Sequence, residues 1–397
     1  MTTLTSRSVF RPAAVACYAT VALICCSAWT AVAQSDEPGV LSIGSPDGSA
    51  ANYTLSDGTL NTSGTYVGPQ SRFDQFGGFH DVAGNLLVEG GVTLKGGGVA
   101  YAFYTITGGF VAAESTSVVI GVFTQSGGTN VSGELTIGPH NAQCTFNLSG
   151  GRVETVNTFL NGSWQGGFKQ TGGSHIVANR LTLVGDDFQR PLYVLNEGEL
   201  ESPQIEITKG TLRHVAGTIR NSELIALNEA VLETGGDVQF GKLRLLGSGV
   251  TNSVLRLNGT VGVVRFDNSR DAMWDSDATL VIEEWNGAFQ GGGAEQVLVG
   301  TDSTALTAEQ LAKIVFRNPG SCATGVYPAR LLPNGELAPG PYLNNVVQGG
   351  ERRLEWDGNY VLQSAASPAG PFEDVIGAAS PYVPDAVEAQ RFFRLRK

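Results

Sequence analysis

The 397-residue chain is poor in charge, in histidine and in cysteine. Charged residues make up 16% of it, against about a quarter in ordinary globular proteins. Acids outnumber bases, 37 to 25, giving a net charge of −12. Nucleic-acid binding needs clustered Lys and Arg, so nucleic acid is excluded as an expected partner. The four histidines, His80, His140, His175 and His214, fall at unrelated offsets in the repeat described below. That spacing suits hydrogen-bonded loop histidines rather than a triad or a metal site. There is no Cys/His metal spacing, P-loop, G-x-S-x-G or zincin helix motif, and no cofactor is expected. After residue 33 no apolar run is long enough to cross a bilayer.

Three of the five cysteines, Cys17, Cys25 and Cys26, lie in an N-terminal segment with its own signature. Arg7 and Arg11 precede an apolar stretch, Ala13 to Ala33, that closes in Ala31-Val32-Ala33. A positive start, an apolar middle and a small-x-small end read as a secretory signal peptide over residues 1–33. A retained anchor is the alternative. Cleavage would take the net charge from −12 to −14 and place the mature chain outside the cell, secreted or at the cell surface. Cys144 and Cys322 would remain, a pair able to form one disulfide.

What is abundant is glycine, 53 residues, and a repeated line. "FTQSGGTNVSGELTIG" at 123–138 returns as "FNLSGGRVETVNTFLNG" and "FKQTGGSHIVANRLTLVG". An apolar or aromatic residue with glycine five positions later aligns units starting at Tyr53, Phe79, Tyr104, Phe123, Phe146, Phe168, Tyr193, Leu212 and Val231. A period of about twenty residues, with short alternating strands and no helix, cannot bury its apolar face alone. Propeller blades need about 40 residues. The expected fold is therefore all-β, a right-handed parallel β-helix, with the aromatic position stacked inside and the constant glycine at a corner.

The repeat spans residues 34–249. Residues 250–340 read as terminal coils and a cap, with one helix signal at "LTAEQLAKIVF", where Thr307 and Gln310 form a capping box. Residues 341–351 suit a linker. Residues 352–397 suit a small β module of about five short strands.

Residues 283–339 carry Trp285 to Gly287, Gly291 to Gln296, Leu306 to Leu311 and Gly335 to Pro339. These match the W-x-G, GGG-x-[DE]-Q, LTA-x-QL and Gly-Glu-x-x-Pro elements of secreted bacterial proteins with autotransporter-associated β-strand repeats. The chain resembles that family over most of residues 50–340. The resemblance implies a β-solenoid passenger-type fold and export, and it brings no catalytic residue. The Pro-Glu-Pro sorting tail or β-barrel of related proteins has no counterpart, so export without those membrane routes is expected.

Two sets of residues are candidates for function. Longer insertions recur after the strand ending a unit and carry Phe73, Tyr101, His140, Trp164 and Phe188. Insertions at one corner project from one side of a solenoid, so these rings either line a glycan-binding stripe or fold back as edge packing. Asp186, Asp187 and Arg190 share one loop and are the best catalytic candidates, because lyase or hydrolase chemistry needs positioned carboxylates. A solvated turn is the competing reading. The function expected is a secreted, non-enzymatic structural or adhesive solenoid that contacts extracellular polysaccharide or a cell surface. The alternative is a polysaccharide lyase or hydrolase.

Overall fold

The computed structural model describes residues 39–45, 49–92, 99–138, 144–162, 167–247, 251–258, 262–320, 324–348, 351–356, 360–384 and 390–396. The expected signal peptide lies outside them. The chain is a β-solenoid of about ten turns. Through coil 9 each coil contributes a strand to each of three parallel series, and the last parallel rungs continue the first two. The first face runs 52–55, 72–75, 102–106, 121–125, 145–148 and onward, joined in parallel register. The second runs 59–62, 79–82, 110–113, 129–132. The third runs 64–67, 86–88, 115–118, 134–137. Coils are numbered here from the one containing Tyr53.

Register places one residue of each first-face strand directly over its counterpart. The series is Tyr53, Phe73, Tyr104, Phe123, Phe146, Phe168, Tyr193, Leu212 and Leu232. From Phe73 to Tyr193 the rings are buried and stacked nearly parallel, with centroids 4.5–4.8 Å apart. That is the spacing of neighbouring strands, so the backbone hydrogen bonds and the ring contacts are satisfied together. The expected internal ladder is present, with two corrections of frame. Coil 2 contributes Phe73 rather than Phe79, and coil 9 contributes Leu232 rather than Val231. Phe79 stands outside, 45% exposed.

Five residues after each ladder position the chain turns from the first face to the second. Gly78 and Gly151 show why glycine is required there: φ is +68° and +78°, and a Cβ would lie 2.6 and 2.4 Å from the carbonyl oxygen of the coil before. Gly84, aligned with this corner by sequence, belongs to the next one.

Core polarity alternates with a period of two coils. Two residues after the ladder position the series reads Leu55, Gln75, Ile106, Gln125, Leu148, Gln170, Leu195. On the second face it reads Leu60, His80, Val111, Asn130, Val153, His175, Leu200. On the third, in opposite phase, it reads Thr65, Leu86, Thr116, Leu135, Thr158, Leu181. Within these series, through coil 7, each polar side chain has an apolar residue directly above and below it, so its hydrogen bonds must go sideways, to the other faces of neighbouring coils. Beyond them His214 lies directly against Thr234.

Outside the first face of the later coils runs an ionic ladder in which Arg213, Glu233, Arg256, Glu283 and Arg317 occupy successive rungs. Arg213 pairs with Glu233, and the next links measure 2.8, 3.0 and 2.6 Å. Shared partners make this a network rather than isolated surface pairs.

Parallel coils continue to Ile314–Arg317. Strands Val326–Leu331 and Glu336–Pro339 then pair antiparallel with the last rungs and with each other, covering an end that would otherwise invite edge pairing. The helix signal resolves as a single turn, Ala308–Leu311, with both halves of the Thr307–Gln310 capping box formed. The rest of that apolar run enters the strand at Ile314. The expected linker is instead half of a hairpin, since Asn344–Gln348 pairs antiparallel with Glu351–Glu355. The terminal module has a small core of its own around Leu354, Trp356 and Leu362.

Candidate functional site

Through coil 9 two of the three corners are short. The third, between the third and first faces, varies from the single residue Ile120 to the segment 90–101. The insertions noted in the sequence therefore share one edge of the solenoid. Single residues turn this corner in left-handed conformation at Gln70, Ile120, Lys209 and Glu229, with φ of 49–57°.

The best-described insertion is 185–191. The Asp186 carboxylate accepts N–H bonds from Phe188 and Gln189, at 2.8 and 2.7 Å, which closes a tight turn in the manner expected of a short acidic side chain. Asp187 takes the Lys209 ammonium at 2.5 Å, and Lys209 reaches Glu229 at 3.6 Å. Its hydrogen bond to Asp187 holds the Lys209 pKa above the usual value. Arg190 donates to the Glu229 carbonyl at 3.3 Å. Three coils are laced together by these contacts. The ring of Phe188 stands clear of them, 88% exposed.

The sequence candidates divide accordingly. Phe73 is in the core, stacked between Tyr53 and Tyr104, and cannot meet a ligand. The correction follows from register: Phe73 belongs to the first-face strand and not to the insertion before it. Tyr101 is half-buried on the edge, and its carbonyl accepts the Gln70 N–H at 2.9 Å. His140 and Trp164 lie outside the described residues. Asp186, Asp187 and Arg190 share the loop but take separate partners, Asp186 in the turn, Asp187 in an ion pair with Lys209 and Arg190 on the Glu229 carbonyl. Cys144 is buried at the same edge, where its Sγ accepts the Ile120 N–H at 3.2 Å. Cys322 lies outside the described residues. Among the described residues no group of three or more His, Cys, Asp or Glu is placed to hold a metal ion.

Two features were missed. Phe79 and Phe110 stack outside the glycine corner, centroids 4.5 Å apart, beside the 55% exposed Phe76. The glycine doublet between Phe76 and Phe79 was the available signal. The second is internal: His80 and His175 are core residues at the same register position, four coils apart. In the true frame both lie seven residues after the ladder ring.

Each histidine sits in the same hydrogen-bond chain. Gln170 Nε2 spends both protons on the carbonyls of Gly173 and Glu199, at 3.0 and 2.9 Å. Its Oε1 must then accept, and Tyr193 donates to it at 2.8 Å. The Tyr193 oxygen therefore accepts from His175 Nδ1–H at 2.9 Å, which leaves Nε2 to accept from Thr158 at 3.1 Å. Thr155 completes the chain at 2.8 Å. Gln75, Tyr104, His80, Thr65 and Thr62 repeat it. Burial alone lowers both histidine pKa values, to about 3, so both are neutral. Coil 4 has Gln125 and Asn130 at the equivalent places, but Phe146 stands where a tyrosine would close the chain. Gln125 Oε1 and Asn130 Nδ2 are left without partners.

Compared with known protein families, with curated proteins and with solved structures, the chain matches none.

Proposed function

We propose that the protein is a secreted, non-enzymatic β-solenoid of structural or adhesive role, exported through residues 1–33, that contacts extracellular glycan along its insertion edge. One observation carries this reading. In the loop at 185–191 both carboxylates are engaged, Asp186 in the turn and Asp187 with Lys209, while the ring of Phe188 stands exposed. Catalytic carboxylates are instead expected to face a reacting bond. A ring presented on a closed turn suits contact with a ligand, since the backbone that carries it is already ordered. Repetition along one edge would multiply weak contacts into useful affinity.

The test is retention on immobilised polysaccharides by the exported protein and by Phe188→Ala, Tyr101→Ala and Trp164→Ala. Each substitution is expected to weaken retention several-fold with little change in thermal stability. Depolymerisation of any polysaccharide in the same panel, abolished by Asp187→Asn, would overturn the proposal in favour of a lyase or hydrolase.

A further inference from the structure

Beside the Asp186–Arg190 loop the edge contains a cavity of about 390 Å³. Val231 and Val254, register partners one coil apart, form its apolar side. Arg190, Glu229 and Asn252 supply polar groups. Thr251 also lines it, only 6% exposed, and its hydroxyl has no hydrogen-bond partner. The guanidinium of Arg190 reaches the backbone oxygen of Glu229 and forms no ion pair among the described residues, so most of its five N–H donors remain available.

From this geometry we infer that the cavity is a subsite for one neutral sugar residue of a glycan chain lying on the insertion edge, an inference that rests on the glycan-contact reading above. A sugar ring is amphipathic, with C–H bonds on its face and hydroxyls around its rim. The two valines match the face. Arg190 as donor, Glu229 as acceptor and the amide N–H groups of Asn252, whose Oδ1 already accepts from the Thr279 hydroxyl, match the rim. The volume lies at the lower end of the range for small-ligand sites, about 300–1,000 Å³. Charge selects against an acidic sugar. Asp186, Asp187 and Glu229 outnumber Lys209 and Arg190 around the mouth, and a further carboxylate would be repelled. An entirely apolar ligand would cover the remaining N–H groups of Arg190 and Asn252 without pairing them.

The experiment is calorimetric titration of the exported protein with cellohexaose, xylohexaose, mannohexaose and an oligogalacturonate. Arg190→Ala, Asn252→Ala and Phe188→Ala are titrated in parallel, each first shown to keep the wild-type unfolding temperature within a few degrees. The expected result is binding of at least one neutral oligosaccharide, weakened about tenfold or more by Asn252→Ala and by Arg190→Ala. Neutral-glycan binding that falls with Phe188→Ala but not with the cavity variants would overturn the subsite and leave the edge reading intact. Binding confined to the oligogalacturonate would do the same. If no oligosaccharide binds the wild type, both readings fail together.

Discussion

Acid should destabilise this protein through two residues. His80 and His175 are neutral in the fold, with pKa values lowered by burial to about 3, whereas an unfolded histidine titrates near 6.5. Between these values the unfolded chain binds protons that the folded chain does not. Stability is therefore fully present above pH 6.5 and is lost as pH falls toward 3. At pH 4.8 the loss is about 2.3 kcal/mol for each histidine, from 1.36 kcal/mol per pKa unit. The two chains lie four coils apart with no shared partner, so the losses should add, to about 5 kcal/mol. Each ring contacts a threonine, a tyrosine and a phenylalanine, with no charged side chain among them to offset the burial. The assay is urea unfolding from pH 7.5 to 4.8, above the range where carboxylates dominate. His80→Asn/His175→Asn, which borrows the coil-4 residue, serves as the control. The wild type should lose stability steeply below pH 6.5, and the double variant, weaker at neutral pH, should show a much flatter profile. Parallel profiles for the two proteins, or an NMR titration of either histidine near 6.5 in the folded state, would refute the reasoning.

Two further expectations concern the same core. Phe146→Tyr supplies the hydroxyl that Gln125 lacks and should stabilise by about 1 kcal/mol in urea unfolding, whereas Tyr193→Phe strands Gln170 Oε1 and His175 Nδ1 and should cost about 1–3 kcal/mol. At the glycine corner, Gly151→Ala must place a Cβ 2.4 Å from the Gly128 oxygen at φ +78° and should lower stability by more than the 1–2 kcal/mol of left-handed strain alone; Gly236→Ala, with φ outside that region and 4.0 Å to its nearest neighbour, should be close to neutral by thermal unfolding.

Period, stacked rings and corner glycine were readable in the sequence because each is a local pattern repeated at fixed distance, and the capping box because its two residues lie three apart. The error at coil 2 shows where such reading stops. "FDQFGGF" offers Phe73, Phe76 and Phe79 within seven residues, and Phe79 finds a glycine five positions on, so spacing alone accepts the wrong ring. The doublet Gly77–Gly78, aligned with Gly108–Gly109 and Gly127–Gly128, identifies the right one. It marks the tight corner, and the ladder residue must stand five before its second glycine. The same slip assigned Phe73 to the glycan edge and hid the equivalence of His80 and His175. The insertion edge was legible as a side of the molecule, since loop length is visible in sequence. Which of its side chains face outward was not. That depends on turn closure by Asp186 and on ion pairs between coils, contacts that no linear spacing encodes.

The two-coil alternation of the core sets what can be removed from this chain or duplicated within it. Excising coil 5 alone would seat coil 4 on coil 6, amide against amide at Gln125 and Gln170 and Asn130 against His175, with no aliphatic layer between. Excising coils 4 and 5 together would seat coil 3 on coil 6. Ile106 would then meet Gln170, Val111 would meet His175, and Thr116 would stand where Thr158 does now, ready to donate to the imidazole. Within coils 1 to 7 the solenoid can therefore lengthen or shorten by pairs of coils while keeping its polar chains in phase, and an odd change leaves buried donors and acceptors facing their own kind.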